Sequence, residues 1–144
     1  MIQLASFPID HIGIAVENLD AAISHHKNLY GTVLVERETL IDRGIELAFL
    51  ATSNTRLEFI APITLDDDQN TIVKFLKKRG SGLHHICYEV PRIEIELERL
   101  EKSGATLIDK TPRKGACSSR IAFIMPSKVD GLLIELCDYP SKFK

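Results

Sequence analysis

Apolar residues along this chain recur in two rhythms, and the rhythms come in the same order twice. Ile9 to Val16 (IDHIGIAV) is dense in branched residues, which favour a pleated strand. Leu19, Ala22, Ile23, His26, Leu29 and Tyr30 then recur at helical spacing, with Asn18 or Asp20 as the cap and Gly31 as the stop. Strands are predicted over 33–39 and 45–52, joined by an Asp42-Arg43-Gly44 turn, and over 55–60, closed by Pro62. A polar stretch over 64–70, containing Asp66-Asp67-Asp68, reads as a solvated connector. Ile72, Val73, Phe75 and Leu76 predict a short amphipathic helix that Gly80 and Gly82 end. The series then restarts. A strand covers 83–90, and Ile93, Leu97 and Leu100 line a helix stopping near Gly104. A strand over 105–110, a loop over 112–119, and strands over 120–125 and 132–136 around a 128–131 turn complete it.

The two series align. DHIGIAV (10–16) matches HHICYEV (84–90), and NLYGTVLV (28–35) matches EKSGATLI (101–108). LEFIAP (57–62) matches IELCDYP (134–140) in its opening residues. The predicted fold class is therefore α+β, built from two paired β-α-β-β-β modules. The chain reads as one domain over 1–144: module 9–62, connector 63–82 and module 83–140. Each half is too small for a core of its own, so the halves should pack together.

Four polar residues interrupt strands that are otherwise apolar. His11 and His85 hold equivalent places near the start of the first strand of each half, and Glu58 and Glu135 hold equivalent places in the last. An uncompensated carboxylate on an inward face costs several kcal/mol. Two imidazoles and two carboxylates gathered by the repeat would suit a borderline divalent ion, which would neutralise that charge. His84 competes with His85, but alternation puts the two on opposite faces and only His85 aligns with His11. His25 and His26 fall on the first helix, facing the surface or a groove.

Composition narrows the setting. Eighteen basic and twenty acidic residues give a net charge of -2, with no broad field for nucleic acid or anionic lipid. No apolar run approaches the ~20 residues of a membrane span, and the first residues carry no signal-peptide pattern. Three cysteines without a Cys-x-x-Cys pair point to a reduced, cytoplasmic location. Cys87 and Cys137 show no pattern of a nucleophile, and Tyr88 and Tyr139 form no specific site.

On IDHIGIAVENLDAAISHHKNLYG (9–31), GIELAFLATSNTRLEFIAP (44–62), FLKKRGSGLHHICYEV (75–90), DKTPRKGACSSRIAFIMP (109–126) and GLLIELCDYP (131–140), the chain resembles the methylmalonyl-CoA epimerase family. That family lies within the vicinal-oxygen-chelate superfamily, with glyoxalase I and the extradiol dioxygenases. The resemblance implies a glyoxalase-like curved sheet around a metal-containing cleft, with His11, Glu58, His85 and Glu135 as ligands. It implies a divalent cofactor (Co, Mn, Ni, Zn or Mg), an acyl-CoA or related thioester substrate, and a homodimer. The implied reaction is α-proton abstraction and return, interconverting the stereoisomers of methylmalonyl-CoA. Glu135 is the first candidate for proton transfer. Lys110, Arg113, Lys114 and Arg120 are candidates for the coenzyme A phosphates.

The sequence also departs from the family. Leu47 stands where some epimerases carry a second catalytic carboxylate, with Glu46 beside it on the opposite face. Met125-Pro126 replaces a histidine-proline pair, and Gly115-Ala116-Cys117-Ser118 replaces Gly-Ala-His-Gly. Two alternatives stand beside epimerisation: a glyoxalase I-type lactoylglutathione lyase, and a module that binds or sequesters a small molecule. An extradiol dioxygenase is disfavoured by Glu58 as a fourth ligand, since that chemistry wants two histidines, one carboxylate and open positions.

Overall fold

A computed structural model describes residues 3–143. Its main elements are β1 (Ile9–Ala15), α1 (Leu19–Tyr30), β2 (Val33–Leu40), β3 (Ile45–Ala51), β4 (Arg56–Pro62), α2 (Thr71–Arg79), β5 (Gly82–Glu89), α3 (Ile93–Lys102), β6 (Arg113–Lys114), β7 (Arg120–Ile124) and β8 (Ile134–Asp138). The order β-α-β-β-β occurs twice, as expected, in an α+β fold. The chain forms two compact units, residues 11–84 and the segments up to Asp10 and from His85 onward.

In the unit of residues 11–84 the strands run in the order β2-β3-β4-β1. The first three form an antiparallel meander, and β1 lies parallel to β4 with Gly13 opposite Glu58. Leu19 and Ile23 of α1 pack on Ala48, Leu50, Phe59 and Ala61, so alternation sends Leu47, Phe49, Glu58 and Ile60 to the other face. Asn18 is the residue that caps α1: its side chain accepts from Ala21 N at 2.9 Å. Asn70 caps α2 by accepting from the amides of Ile72 and Val73, and its amide nitrogen donates to Gly44 O at 3.0 Å. The Asp42-Arg43-Gly44 turn closes tightly because Gly44 takes a φ of 66°. A Cβ there would meet the Asn70 nitrogen at 2.9 Å.

In the other unit the order is β5-β8-β7-β6. Here β5 is parallel to β8 with Cys87 opposite Glu135, matching the register of Gly13 and Glu58. Ile93 and Leu97 of α3 pack on Ala122, Ile124 and Leu136. No side chain of the residue preceding α3 caps it. Asp138, 1% exposed at the end of β8, accepts from Ile93 N at 3.1 Å and from Arg120 Nε at 2.9 Å.

One predicted element changes place. The segment 105–110 makes a single bridge, Leu107 to Ile124, instead of a strand. Ile108 and Asp109 both donate their amides to Phe123 O, while the Asp109 carboxylate takes the Phe123 amide. The side chain thus satisfies the donor that a continued ladder would have used. The strand on the side of β7 away from β8 is instead the two-residue β6, inside the predicted loop over 112–119. That loop then turns through Cys117 and Ser118 at φ 56° and 60°, a left-handed region rare for such residues.

Candidate metal centre

Each unit carries the same buried pair. In residues 11–84, His11 Nε2 lies 3.5 Å from Glu58 Oε1; in the other unit, His85 Nε2 lies 3.5 Å from Glu135 Oε1. The residues are 4%, 6%, 1% and 4% exposed respectively. The register explains both pairs. Glu58 stands opposite Gly13, two residues after His11, and Glu135 stands opposite Cys87, two residues after His85. Residues two apart share a face, so each imidazole leans along its strand toward the carboxylate on the next.

An aromatic ring completes each copy. Phe49 is the cross-strand partner of Glu58 and meets His11 edge-on at 5.3 Å between ring centroids. Phe123 is the cross-strand partner of Glu135 and meets His85 edge-on at 5.6 Å. The rings wall the donors with apolar surface, which limits water around the carboxylates and strengthens any charge interaction there. A guanidinium lies over each ring: Arg56 over Phe49 at 4.1 Å, and Arg113 over Phe123 at 5.8 Å. The sequence expectation covered the histidines and glutamates but missed Phe49, Phe123 and Arg56. A signal existed, because Ala48-Phe49-Leu50 and Ala122-Phe123-Ile124 repeat one another within the matched modules.

The donor pairs fit a divalent ion. Two ligands about 2.1 Å from one cation, at tetrahedral or octahedral angles, stand about 3.0–3.4 Å apart. The 3.5 Å separations in both pairs approach that spacing, and a nitrogen with a carboxylate oxygen is the donor chemistry of zinc, cobalt, nickel or manganese.

Other candidates fall outside the pairs. His84 makes a ring contact with Phe75 at 4.9 Å. His25 and His26 line a groove of about 510 Å³ with Ile14, Ala22 and Phe59, on the α1 face and thus opposite Glu58. Burial, with His25 beside it, lowers the His26 pKa. Glu46 also faces away from the site, toward Arg37 at 3.7 Å, and the site face holds apolar Leu47 instead. Burial, then a hydrogen bond to Cys137, pushes the Cys87 thiol up, so it is a poor nucleophile. The expectation that Arg120 meets coenzyme A is corrected: its guanidinium is held by Asp138 and Glu94. Arg113 pairs with Asp109 at 3.1 Å, and Lys110 and Lys114 are exposed.

Comparison with known proteins identifies the family. Residues 10–123 match the model of the Glyoxalase/Bleomycin resistance protein/Dioxygenase superfamily. An uncharacterised Bacillus subtilis protein, YqjC, is 38% identical over 130 residues, covering 90% of this chain and 91% of that protein. The mitochondrial methylmalonyl-CoA epimerase of Dictyostelium discoideum is 33% identical over 129 residues, covering 89% of this chain and 76% of that protein. The crystal structure of methylmalonyl-CoA epimerase from Mycobacterium tuberculosis superposes with a TM-score of 0.84 at 37% identity, over 96% of this chain and 92% of that one.

Proposed function

Because the chain belongs to the glyoxalase superfamily, in its methylmalonyl-CoA epimerase branch, we propose that it interconverts the stereoisomers of methylmalonyl-CoA with a divalent metal ion as cofactor. The observation that carries the reading is the twice-built His–Glu pair, buried and at the same 3.5 Å in each unit. A binding or sequestering module would have no use for two buried carboxylates. We further propose that His11, Glu58, His85 and Glu135 all serve one ion. Two donors are too few for a structural or catalytic divalent site, and the two pairs together supply four. On this reading the modules work as a single domain over 1–144.

Epimerisation removes the α-proton of the thioester from one face and returns a proton to the other. A bound divalent ion supplies Lewis acidity toward oxygen, where negative charge develops as the proton leaves. Glu135 is the residue we assign to take that proton from one face of the substrate; inversion then needs a second acid on the opposite face, or a carboxylate that reaches both. Glu135 lies on the site face of β8, beside His85 and opposite Phe123, where the apolar ring keeps competing water away. Glu46 takes no part, since it points to the α1 face. Lys110 and Lys114 remain to meet the coenzyme A phosphates. A homodimer is supported by Val33, Leu34 and Val35, exposed on β2 at the edge of its strand order. A cytoplasmic location is supported by three free cysteines.

The test is proton exchange. Metal-loaded protein in deuterated buffer should place deuterium at the α-carbon of methylmalonyl-CoA, and Glu135→Gln should slow this by about 10²-fold or more. Turnover of a glutathione hemithioacetal without any exchange into methylmalonyl-CoA would transfer the assignment to a lactoylglutathione lyase.

A further inference from the structure

The two copies of the site are alike in His, Glu and Phe, and a guanidinium lies over each ring, but Arg113 reaches Phe123 from β6 while paired with Asp109, whereas Arg56 reaches Phe49 from the strand that carries the glutamate. Arg56 stands two residues before Glu58 on β4, and Leu133 stands two residues before Glu135. Leu133 packs against the Cys87, Ile121, Phe123 and Cys137 cluster. Arg56 shares the face of Glu58, and its cross-strand partner is Ala51, whose small side chain leaves room above the sheet. The guanidinium uses that room to lie over the Phe49 ring at 4.1 Å, and the same ring touches His11. Continuing the β1–β4 register one step past Ile12 and Leu57 sets Arg56 directly across from His11. A half-buried, permanently charged fork is thus fixed beside one donor pair, and its counterpart position is apolar.

From this we propose that Arg56 binds the free carboxylate of the substrate and makes the site selective for malonyl-type thioesters over neutral acyl thioesters. The inference rests on the epimerase reading and adds a residue to it. Stacking on Phe49 removes much of the rotamer freedom that an arginine would otherwise lose on binding. Guanidinium and carboxylate match as a planar two-bond pair, which an ammonium cannot reproduce. The Arg56 charge also favours an anion beside the metal donors, and a simple acyl thioester offers no anion at its acyl end.

The experiment compares binding of malonyl-CoA and propionyl-CoA to the metal-loaded full chain by calorimetry, in wild type, Arg56→Met, Arg56→Lys and Lys128→Met. Wild type and K128M, which loses a charge from an exposed turn, should prefer malonyl-CoA equally. R56M should lose at least tenfold of that preference, mostly through weaker malonyl-CoA binding, and R56K should fall between. Metal content and circular dichroism check each variant. If R56M fails to fold or to take up metal, R56K decides: an undiminished preference there overturns the proposal. If wild type exchanges the α-proton of methylmalonyl-CoA and R56M keeps the preference within twofold, the role of Arg56 is refuted and the epimerase reading stands. If wild type neither exchanges the proton nor prefers malonyl-CoA, both fall together.

Discussion

His85→Ala separates a metal ligand from a well-packed core histidine, provided the right difference is measured. His85 is 1% exposed and lies edge-on to Phe123, so truncation leaves a cavity whatever the residue's role. That packing loss should cost about 1–3 kcal/mol in the metal-free protein. The increment that metal adds to stability is a separate quantity. At a free metal concentration a hundredfold above Kd it is about 2.7 kcal/mol, from RT ln(1 + [L]/Kd). For a chain of 144 residues each kcal/mol moves Tm by about 3–4 °C, so wild type should gain roughly 8–11 °C. If losing one of the four donors weakens binding a hundredfold, the same metal concentration then only equals Kd. The increment falls to about 0.4 kcal/mol, or between 1 and 2 °C. The assay is thermal unfolding with and without added cation, reversed by chelator, in both proteins. Subtracting the two melts within each protein cancels the cavity. A wild type whose Tm ignores metal, or an H85A protein that keeps the full increment, would refute the ligand assignment.

Two further expectations concern residues outside the donor set. Arg120→Met should destabilise by about 2–3 kcal/mol in urea melts without altering the KM for acyl-CoA. It strands the buried Asp138 carboxylate, and the value lies below the ~3–5 kcal/mol of a fully buried pair because the Arg120 side chain is 37% exposed. A raised KM with unchanged stability would instead restore Arg120 to the phosphate contacts. The lowered His26 pKa gives a pH signature: the unfolded chain binds a proton near the ordinary histidine value of about 6.5 while the folded chain still refuses it. Stability therefore falls as pH drops from 6.5 toward the folded value, and His26→Gln should flatten that part of the curve in melts against pH. Equal slopes in the two proteins would contradict it.

The chain shows plainly in its sequence what repeats and hides what does not. The strand rhythm, the helix caps and the His11/His85 and Glu58/Glu135 correspondences were readable, because a strand alternates with period two and a buried charge stands out against apolar neighbours. The strand expected over 105–110 was not readable as a failure. Its residues have the right rhythm, but the Asp109 side chain takes the Phe123 amide, and no local pattern announces that. Phe49 and Phe123 went unnoticed because a phenylalanine in a strand reads as ordinary core. Only the cross-strand register reveals that each faces a glutamate. Arg120 misled for the opposite reason. In sequence it is one more cation near a loop, and its partners Asp138 and Glu94 lie in other elements.

The parallel pairing of β1 with β4, and of β5 with β8, also bears on how the molecule assembles. Parallel neighbours cannot be joined by a hairpin, so each histidine and its glutamate are separated by roughly fifty residues of intervening chain. Loops of that length must close before either pair exists, and an unfolded chain offers a cation nothing better than scattered single donors. The ion is therefore poorly placed to nucleate folding and well placed to slow its reversal. Its removal should show first as faster unfolding, with the refolding rate nearly unchanged.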